Sequence, residues 1–448
     1  MKTNVAKLGG SSLKSSSVMA QSINYIIEPG DCYHIVVSAP GESDEEGKEH
    51  GRITQDLKRV YELMEKGLPW EDEMNEVLKV FSRMAGELNV ALETIDDFSS
   101  GVIQRIKKNG MYRDYVLRLG EYFNGRLITA YLNKTGRRAK MVDPMECIYF
   151  YKDGTVNYEK SYIHIRTLCK GNYIFIIPGF YGQDWDGRVK TFPFNGSDVT
   201  GAIVAAALDA KIYDKGTDVG GIYTARPNLE NSNPQIIKKM TLSDLRKLTY
   251  LGMSAVHEDT LAPLFEKGIT MRVRNPNTPE NMGTLVVPEI SERPKGIIGL
   301  AGKNNFIILS IEKRMMNSEV GSALRTLSVL KDLKIPFDHA PTGIDTMCFA
   351  IDLQYLSNNF PYHTEIISRV KNAIEADIVK IIDDIAILSV VWTEYDLYFD
   401  HQISGALLRE GVKALQIDGG AFTGQKLVYL NKADLLRAEE ALHKEFFG

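Results

Sequence analysis

The 448-residue sequence predicts an α/β domain with a mostly parallel central sheet, followed by two smaller α+β modules of β-α-β-β-α-β order. Three observations carry this. Short apolar runs that stop at glycine or proline alternate with helix-spaced stretches through the first part of the chain. A region rich in proline and glycine then interrupts the pattern. Beyond it one order of strands and helices recurs as two weak copies.

Val5 to Leu8 reads as the first strand and breaks at Gly9-Gly10. Residues 12–28 carry apolar positions at helical spacing, and His34 to Ser38 forms a second strand ending at Ala39-Pro40-Gly41. The charged stretch 42–51 reads as a surface loop, and helical patterns fill most of 53–135. Tyr173 to Ile177 is a strand stopped by Pro178-Gly179. Gly196-Ser197-Asp198 opens a helix of small residues, and a strand at Lys211 to Asp214 leads into Gly216-Thr217-Asp218. A helix at 241–251 and a strand at 269–274 complete this part. Pro276, Pro279, Pro288 and Pro294 with Gly283 and Gly296 mark the expected linker. After it come a strand at 305–311 and a helix from Ser318, its expected N-cap, to Leu333, with Val320, Leu324, Leu327 and Leu330 on one face. Strands at 346–353 and 378–391 bracket a helix at 363–376. Helices at 401–410 and 432–446 with strands at 412–417 and 426–430 repeat the order.

The length exceeds one ordinary core, so two or three domains are expected. With 44% hydrophobic and 25% charged residues, the composition is that of a soluble globular protein. A net charge of −5 is too mild for a nucleic-acid or membrane surface, so neither partner is expected. No apolar run is long enough to span a bilayer, and the start lacks the apolar stretch of a secretion signal. Cys32, Cys147, Cys169 and Cys348 are scattered without metal-ligand spacing. Reduced thiols, a cytoplasmic location and no protein-held metal cluster are expected.

Lys7-Leu8-Gly9-Gly10-Ser11-Ser12 falls at a strand-to-helix junction. A glycine pair lets backbone N–H groups approach a bound anion, and the helix dipole favours phosphate there. A lysine at the strand end adds a full charge that can follow a phosphoryl group into its transition state. A tight turn with a serine cap is the plain alternative for this motif alone. Asp198 at a helix start has the same alternative, since aspartate commonly caps helices.

The motifs taken together resemble aspartokinases. Lys7 to Leu13 resembles that family's N-terminal signature, and Val36 to Gly41 its second strand and turn. Gly120-Glu121-Tyr122, Pro178 to Gly182 and Gly196-Ser197-Asp198 resemble three further segments. Thr217 to Thr224 resembles the nucleotide segment, and Arg274-Asn275 to Gly283-Thr284 a later one. The matches run in the family's order over nearly the whole chain.

The resemblance implies an amino-acid-kinase fold over 1–290 and ACT-like regulatory domains over 303–385 and 386–448, the second completed by a strand near 305–311. It implies ATP-dependent phosphorylation of the L-aspartate side-chain carboxylate to 4-phospho-L-aspartate, with Mg²⁺ neutralising the polyphosphate. Lys7 and Asp198 would be catalytic. Lys7, Gly9, Gly10, Ser11, Thr217, Asp218 and Tyr223 would hold the nucleotide. Ser38, Thr54, Glu121, Phe180, Ser197 and Asp198 would hold the substrate, with Glu121 taking its ammonium. Met316, Asn317, Asp338 and Thr342 match a stretch that binds an amino-acid effector, lysine in the subgroup this chain resembles. A homodimer or homotetramer through the ACT domains is implied.

Three positions depart from the family pattern. Phe194 stands where an arginine grips the substrate α-carboxylate, and phenylalanine makes no salt bridge. Arg118, just before the Gly-Glu pair, is the candidate to restore that charge. Arg226 replaces a family aspartate and Ser254 a frequent lysine, while His257 persists. A paralogue acting on a related carboxylate and a regulatory protein with a silenced kinase fold are the rival readings. Lys7, the glycine turn and Asp198 argue against the second.

Overall fold

A computed structural model describes residues 3–27, 33–41, 53–90, 112–193, 196–253, 256, 258–278, 280–292, 295–356, 361–420 and 424–448. The expected loop at 42–51 and the positions Cys32, Phe194, Ser254, His257, Pro279 and Pro294 lie outside the described residues. Cys147, Cys169 and Cys348 are free thiols.

The chain divides into two compact units. The first holds Met1–Ile222, Ile236–Arg246 and Ser254–Ser291; the second holds Tyr223–Gln235, Lys247–Met253 and Glu292–Gly448.

The elements, in chain order, begin with strand β1 (Asn4–Leu8), helix α1 (Ser16–Ile27), β2 (Tyr33–Val37), α2 (Ile53–Glu65) and α3 (Glu71–Glu87). Next come α4 (Arg113–Leu117), α5 (Leu119–Lys134), β3 (Ala139–Met141), α6 (Tyr158–Leu168), β4 (Ile174–Pro178), β5 (Tyr181–Gln183) and β6 (Val189–Thr191). Helix α7 (Gly196–Ala207), β7 (Ile212–Gly216), β8 (Lys239–Thr241), α8 (Leu242–Tyr250), α9 (Glu258–Lys267), β9 (Thr270–Arg274) and β10 (Thr284–Val287) follow.

In the first unit, strands form a sheet in the order β3-β4-β2-β1-β7-β9-β10-β8, parallel except between β9 and β10. Every residue of β1 is buried. A parallel strand covered on both faces carries this kind of unbroken run rather than an alternation. Beside β1 lie β2, next in the chain, and β7, reached only after β3 and β4 have been laid on the β2 side. The carboxyl ends of β1 and β7 therefore flank a switch point, where parallel sheets open a crevice. Strand β10 lies inside the stretch expected as linker. Pro276 and Pro288 fall outside Thr284–Val287, which leaves that strand a full set of backbone donors.

Beyond residue 292 the second unit holds β11 (Ile297–Glu312), α10 (Ser322–Asp332), β12 (Thr346–Asp352), α11 (Tyr362–Ile374) and β13 (Ile378–Trp392). It continues with α12 (Tyr398–Arg409), β14 (Gln416–Gly420), β15 (Gln425–Asn431) and α13 (Leu435–Phe447). The two copies share one antiparallel sheet, ordered β12-β11-β13-β15-β14. The long strands β11 and β13 serve both halves, with register shifts between Lys303 and Phe306 separating them. The segment that pairs with the later half of β13 is Ile297 to Lys303, ahead of the expected 305–311.

Helix α10 starts four residues later than its pattern suggests. Gly321 precedes it at φ 92°, a left-handed conformation that interrupts helical backbone, and Ser318 falls in a 3-10 turn instead of capping. The rotated register buries Ser322, Thr326 and Leu330 and leaves Val320 and Leu324 exposed.

The segment 223–235 is bound into the second unit. Thr224 accepts a hydrogen bond from the Leu300 N–H at 2.7 Å, and its hydroxyl lies 3.2 Å from His443 Nε2. Arg226 Nε lies 2.5 Å from the buried Glu439 carboxylate of α13. Burial pushes the Glu439 carboxyl up to about 7, with Arg226 opposing. The departure at Arg226 thus has a structural partner.

Candidate active site

The site begins with two lysines on adjacent strands. Lys7 of β1 and Lys215 of β7 are partners in register, so both ammoniums leave the sheet at one level. Two buried cations side by side repel strongly. Asp198, in the first turn of α7, meets both: Oδ1 lies 2.7 Å from Lys7 Nζ and Oδ2 lies 2.6 Å from Lys215 Nζ. All three residues are buried. Burial alone would raise the Asp198 carboxyl, but Lys215 and Lys7 outweigh it and hold it well below the usual carboxylate range. Burial draws the Lys215 ammonium down, and Asp198 pushes it back up. The Asp198 carboxylate is thus committed to an ion-paired triad of net charge +1 rather than to capping its helix.

Around the triad the backbone is packed tightly. A Cβ on Gly179 would sit 2.6 Å from Ser197 Cα, so only glycine lets the turn after β4 lie against the start of α7. Phe180 next to it holds φ 77°, a strained conformation for a non-glycine residue, fixed by its N–H on Thr200 Oγ1 at 3.2 Å. Strand β7 is anchored from below. The buried Asp214 accepts hydrogen bonds from both Arg272 and Arg274 of β9, including 2.9 Å from Arg272 Nε and 2.7 Å from Arg274.

A cleft of about 1180 Å³ opens over the triad. Lys7, Gly9, Gly10, Ser11, Ser38, Thr54, Glu121, Phe180, Ser197, Asp198, Thr217 and Asp218 all line it. Residues drawn from six separate sequence motifs thereby share one cavity. Tyr223 belongs to the second unit. Thr217 donates its hydroxyl to Asp218 at 3.1 Å, and Asn275 Nδ2 donates to the Asp218 carbonyl at 3.0 Å.

Glu121 is buried in the cleft wall, and its Oε2 has no hydrogen-bond partner. Burial pushes its carboxyl up to about 8, opposed by the Ala39 backbone and the Lys7 charge. A buried carboxyl with one oxygen unpartnered beside a cavity is an incomplete site, which a cationic ligand group would complete.

Arg118 does not face this cleft. Its guanidinium stacks at 4.7 Å on Tyr115, 4.9 Å on Tyr122 and 5.4 Å on Tyr181, and lies 3.6 Å from Asp143. An arginine caged in aromatic rings is a packing element, so Arg118 does not replace the missing arginine at the site.

Sequence reading passed over Lys215, although Lys-Gly at a strand end repeats the pattern of Lys7. It also missed the lining residues Lys14, Lys58, Arg113, Asp114 and Lys190. The bond from Thr191 Oγ1 to Asp114 at 2.9 Å joins positions 77 apart, beyond the reach of local pattern.

The expected effector residues are divided. Met316 donates its N–H to Asp345, and Thr342 bridges Met347, so these two and neighbouring Asn317 lie at one end of β12. Asp338 lies toward the other end, about 13 Å along at the usual strand rise. There its carboxylate accepts from the Asp352 N–H at 3.2 Å.

The Amino acid kinase family model matches residues 2–275. Aspartokinase 3 of Bacillus subtilis is 30% identical over 99% of this chain and 98% of its own length. The aspartate kinase of Clostridium acetobutylicum, described as an allosteric enzyme, matches at 32% identity, full coverage of both chains and a TM-score of 0.81. Aspartokinase III of E. coli, solved with aspartate and ADP, shares the fold at a TM-score of 0.79 with 21% identity over the full length of both. The first unit thus has the amino-acid-kinase fold and the second an ACT-like regulatory sheet. With a lysine-flanked glycine turn at the head of a matching fold, and relatives aligned from end to end, the chain belongs to the aspartokinase family.

Proposed function

We propose that the protein transfers the γ-phosphoryl group of ATP to the side-chain carboxylate of L-aspartate. The observation that carries this is the buried Lys7–Asp198–Lys215 triad opening on one cleft with Glu121. A carboxylate is a nucleophile at neutral pH, so no base is needed. A carboxylate oxygen attacks the γ-phosphorus, the bond to the β,γ-bridging oxygen breaks, and ADP leaves with the electron pair. Lys7 and Lys215 face the charge that develops on the transferring group, and Asp198 holds them in place. Gly9, Gly10 and Ser11 present backbone donors to the phosphates, and Thr217 and Asp218 flank the nucleotide. Ser38, Thr54, Phe180 and Ser197 shape the aspartate pocket.

Mg²⁺ supplies charge neutralisation on the polyphosphate when bound. Among the described residues no group of three or more His, Cys, Asp or Glu can hold a metal. Mg²⁺ keeps water and phosphate ligands and takes one or two carboxylates. Of the cleft carboxylates Asp114, Glu121 and Asp218 outside the triad, Asp218, in the nucleotide segment, would be such a ligand.

Regulation by an amino acid, with lysine as the proposed effector, follows from the resemblance at Met316, Asn317, Asp338 and Thr342. Exposed Met315, Val320, Leu324 and Ile344 in the same segments support a homo-oligomer formed through this sheet. No described helix is long and apolar enough to cross a membrane, and a cytoplasmic enzyme is proposed.

The test is ATP with L-aspartate and hydroxylamine, which traps an acyl phosphate as hydroxamate. Phe194 in the family arginine's place favours a second reading, a related carboxylate as acceptor, so a panel of amino acids and diacids belongs in the same assay. Nucleotide binding without hydroxamate from any of them would exclude both.

Glu121 gives this reading a pH signature. Ammonium binding needs the ionised form, a minor species below about 8. The KM for aspartate is expected to fall roughly tenfold per pH unit from pH 6 until it levels near 8. Glu121→Gln is expected to raise KM about 10- to 100-fold near pH 8 and to flatten this dependence. Steady-state kinetics in a constant-ionic-strength buffer series checks both.

A further inference from the structure

We propose that Lys190 holds the α-carboxylate of the amino-acid substrate, an inference that rests on the function proposed above. L-Aspartate brings three charged groups. Its side-chain carboxylate goes to the phosphoryl group and its ammonium to Glu121. The α-carboxylate then needs a cation that is free of other duties.

The cleft offers six cationic side chains against four carboxylates. Lys7 and Lys215 are both paired with Asp198, and the remaining positive charge of that triad is assigned to the transferring phosphoryl group. Lys14 follows directly on the phosphate turn. Arg113 is exposed and lies 3.5 Å from Asp114, and Lys58 is exposed. Lys190 is half-buried, and its side chain has no ion-pair partner among the described residues. A partly desolvated ammonium without a counter-charge is a site awaiting an anion.

The backbone around Lys190 is pinned on both sides. Val189 O accepts from the Tyr112 hydroxyl at 2.5 Å, and Thr191 donates to Asp114 from its N–H at 3.2 Å and its hydroxyl at 2.9 Å. Phe192 N–H donates to Phe180 O at 2.9 Å, tying the segment to another cleft residue. Lys190 itself pairs in register with Gly182 of β5. A long flexible side chain thus springs from a fixed strand, which limits the entropy lost on gripping a ligand.

The test compares L-aspartate with its α-amide, which keeps the side-chain carboxylate and the ammonium but loses the α-carboxylate charge. Wild-type enzyme is expected to prefer aspartate in kcat/KM. Lys190→Met is expected to raise KM for aspartate about tenfold or more with kcat little changed, and to leave the α-amide nearly unaffected. The preference then collapses, and Lys190→Arg restores most of it. Thermal melting of each variant is followed alongside. A Lys190→Met enzyme that keeps the wild-type preference overturns the inference while the kinase reading stands. A wild-type enzyme that forms no hydroxamate from any carboxylate sinks both together.

Discussion

Asp198→Asn is expected to cost the protein about 3–5 kcal/mol of stability, because it leaves two buried ammoniums without their shared counter-ion. The sign of the pH dependence separates this from ordinary damage. In the wild-type protein the depressed Asp198 carboxyl contributes stability above its unfolded pKa, lost as pH falls through the acid range. In the variant the limiting group is Lys215, whose ammonium is already drawn down by burial and loses the carboxylate that pushed it back up. Its stability is therefore expected to rise with pH on the alkaline side, as the folded protein gives up the Lys215 proton before the unfolded chain does. ATP should raise its melting temperature more than that of the wild-type protein, since a polyanion restores the missing charge. Denaturant melts across pH, with and without nucleotide, check these points. Parallel pH profiles for the two proteins would show that Asp198 is not the keystone of the charge cluster.

Lys7→Met is expected to lower kcat about 10²- to 10³-fold while the fold survives. The contrast with Asp198 is instructive. Removing Lys7 leaves Asp198 paired one-to-one with Lys215 at 2.6 Å, a neutral arrangement, so burial carries no unpaired charge. What disappears is the net positive charge of the triad, the part that responds to the transferring phosphoryl group. The loss should fall mainly on kcat, because an interaction made chiefly in the transition state does not show in substrate binding. ADP release or hydroxamate formation at saturating substrates measures it. A kcat within threefold of wild type would assign Lys7 to structure alone.

The parallel sheet was legible because its strands are unbroken apolar runs ended by Gly9-Gly10 or Pro178-Gly179, a signal that survives without an alignment. The cleft was legible where chemistry sits beside a turn, as at Lys7, Asp198 and Thr217. It was not legible where a contact depends on strands brought together from afar. Lys215 joins Lys7 only because β1 and β7 lie side by side in register, and Asp114 reaches Thr191 across the fold. In the second unit a single glycine defeated the pattern. The apolar spacing of Val320 and Leu324 suggested a buried stripe, but Gly321 in the left-handed region starts the helix afresh and turns those residues outward. Arg118 misled for a different reason: an isolated arginine beside a functional motif looks like a ligand for an anion, and only the ring positions of Tyr115, Tyr122 and Tyr181 reveal its partners.

The chain crosses from one unit to the other several times, at Ile222, Gln235, Arg246, Met253 and Ser291. No single scission therefore releases a whole kinase module. A fragment ending at Ser291 would keep Thr224 and Arg226 but strip them of Leu300, His443 and Glu439, leaving a strip of sequence beside Thr217 and Asp218 with nothing to fold against. Grafting this sheet onto another kinase, or trading it for a relative's, would need five splice points around three separate segments instead of one.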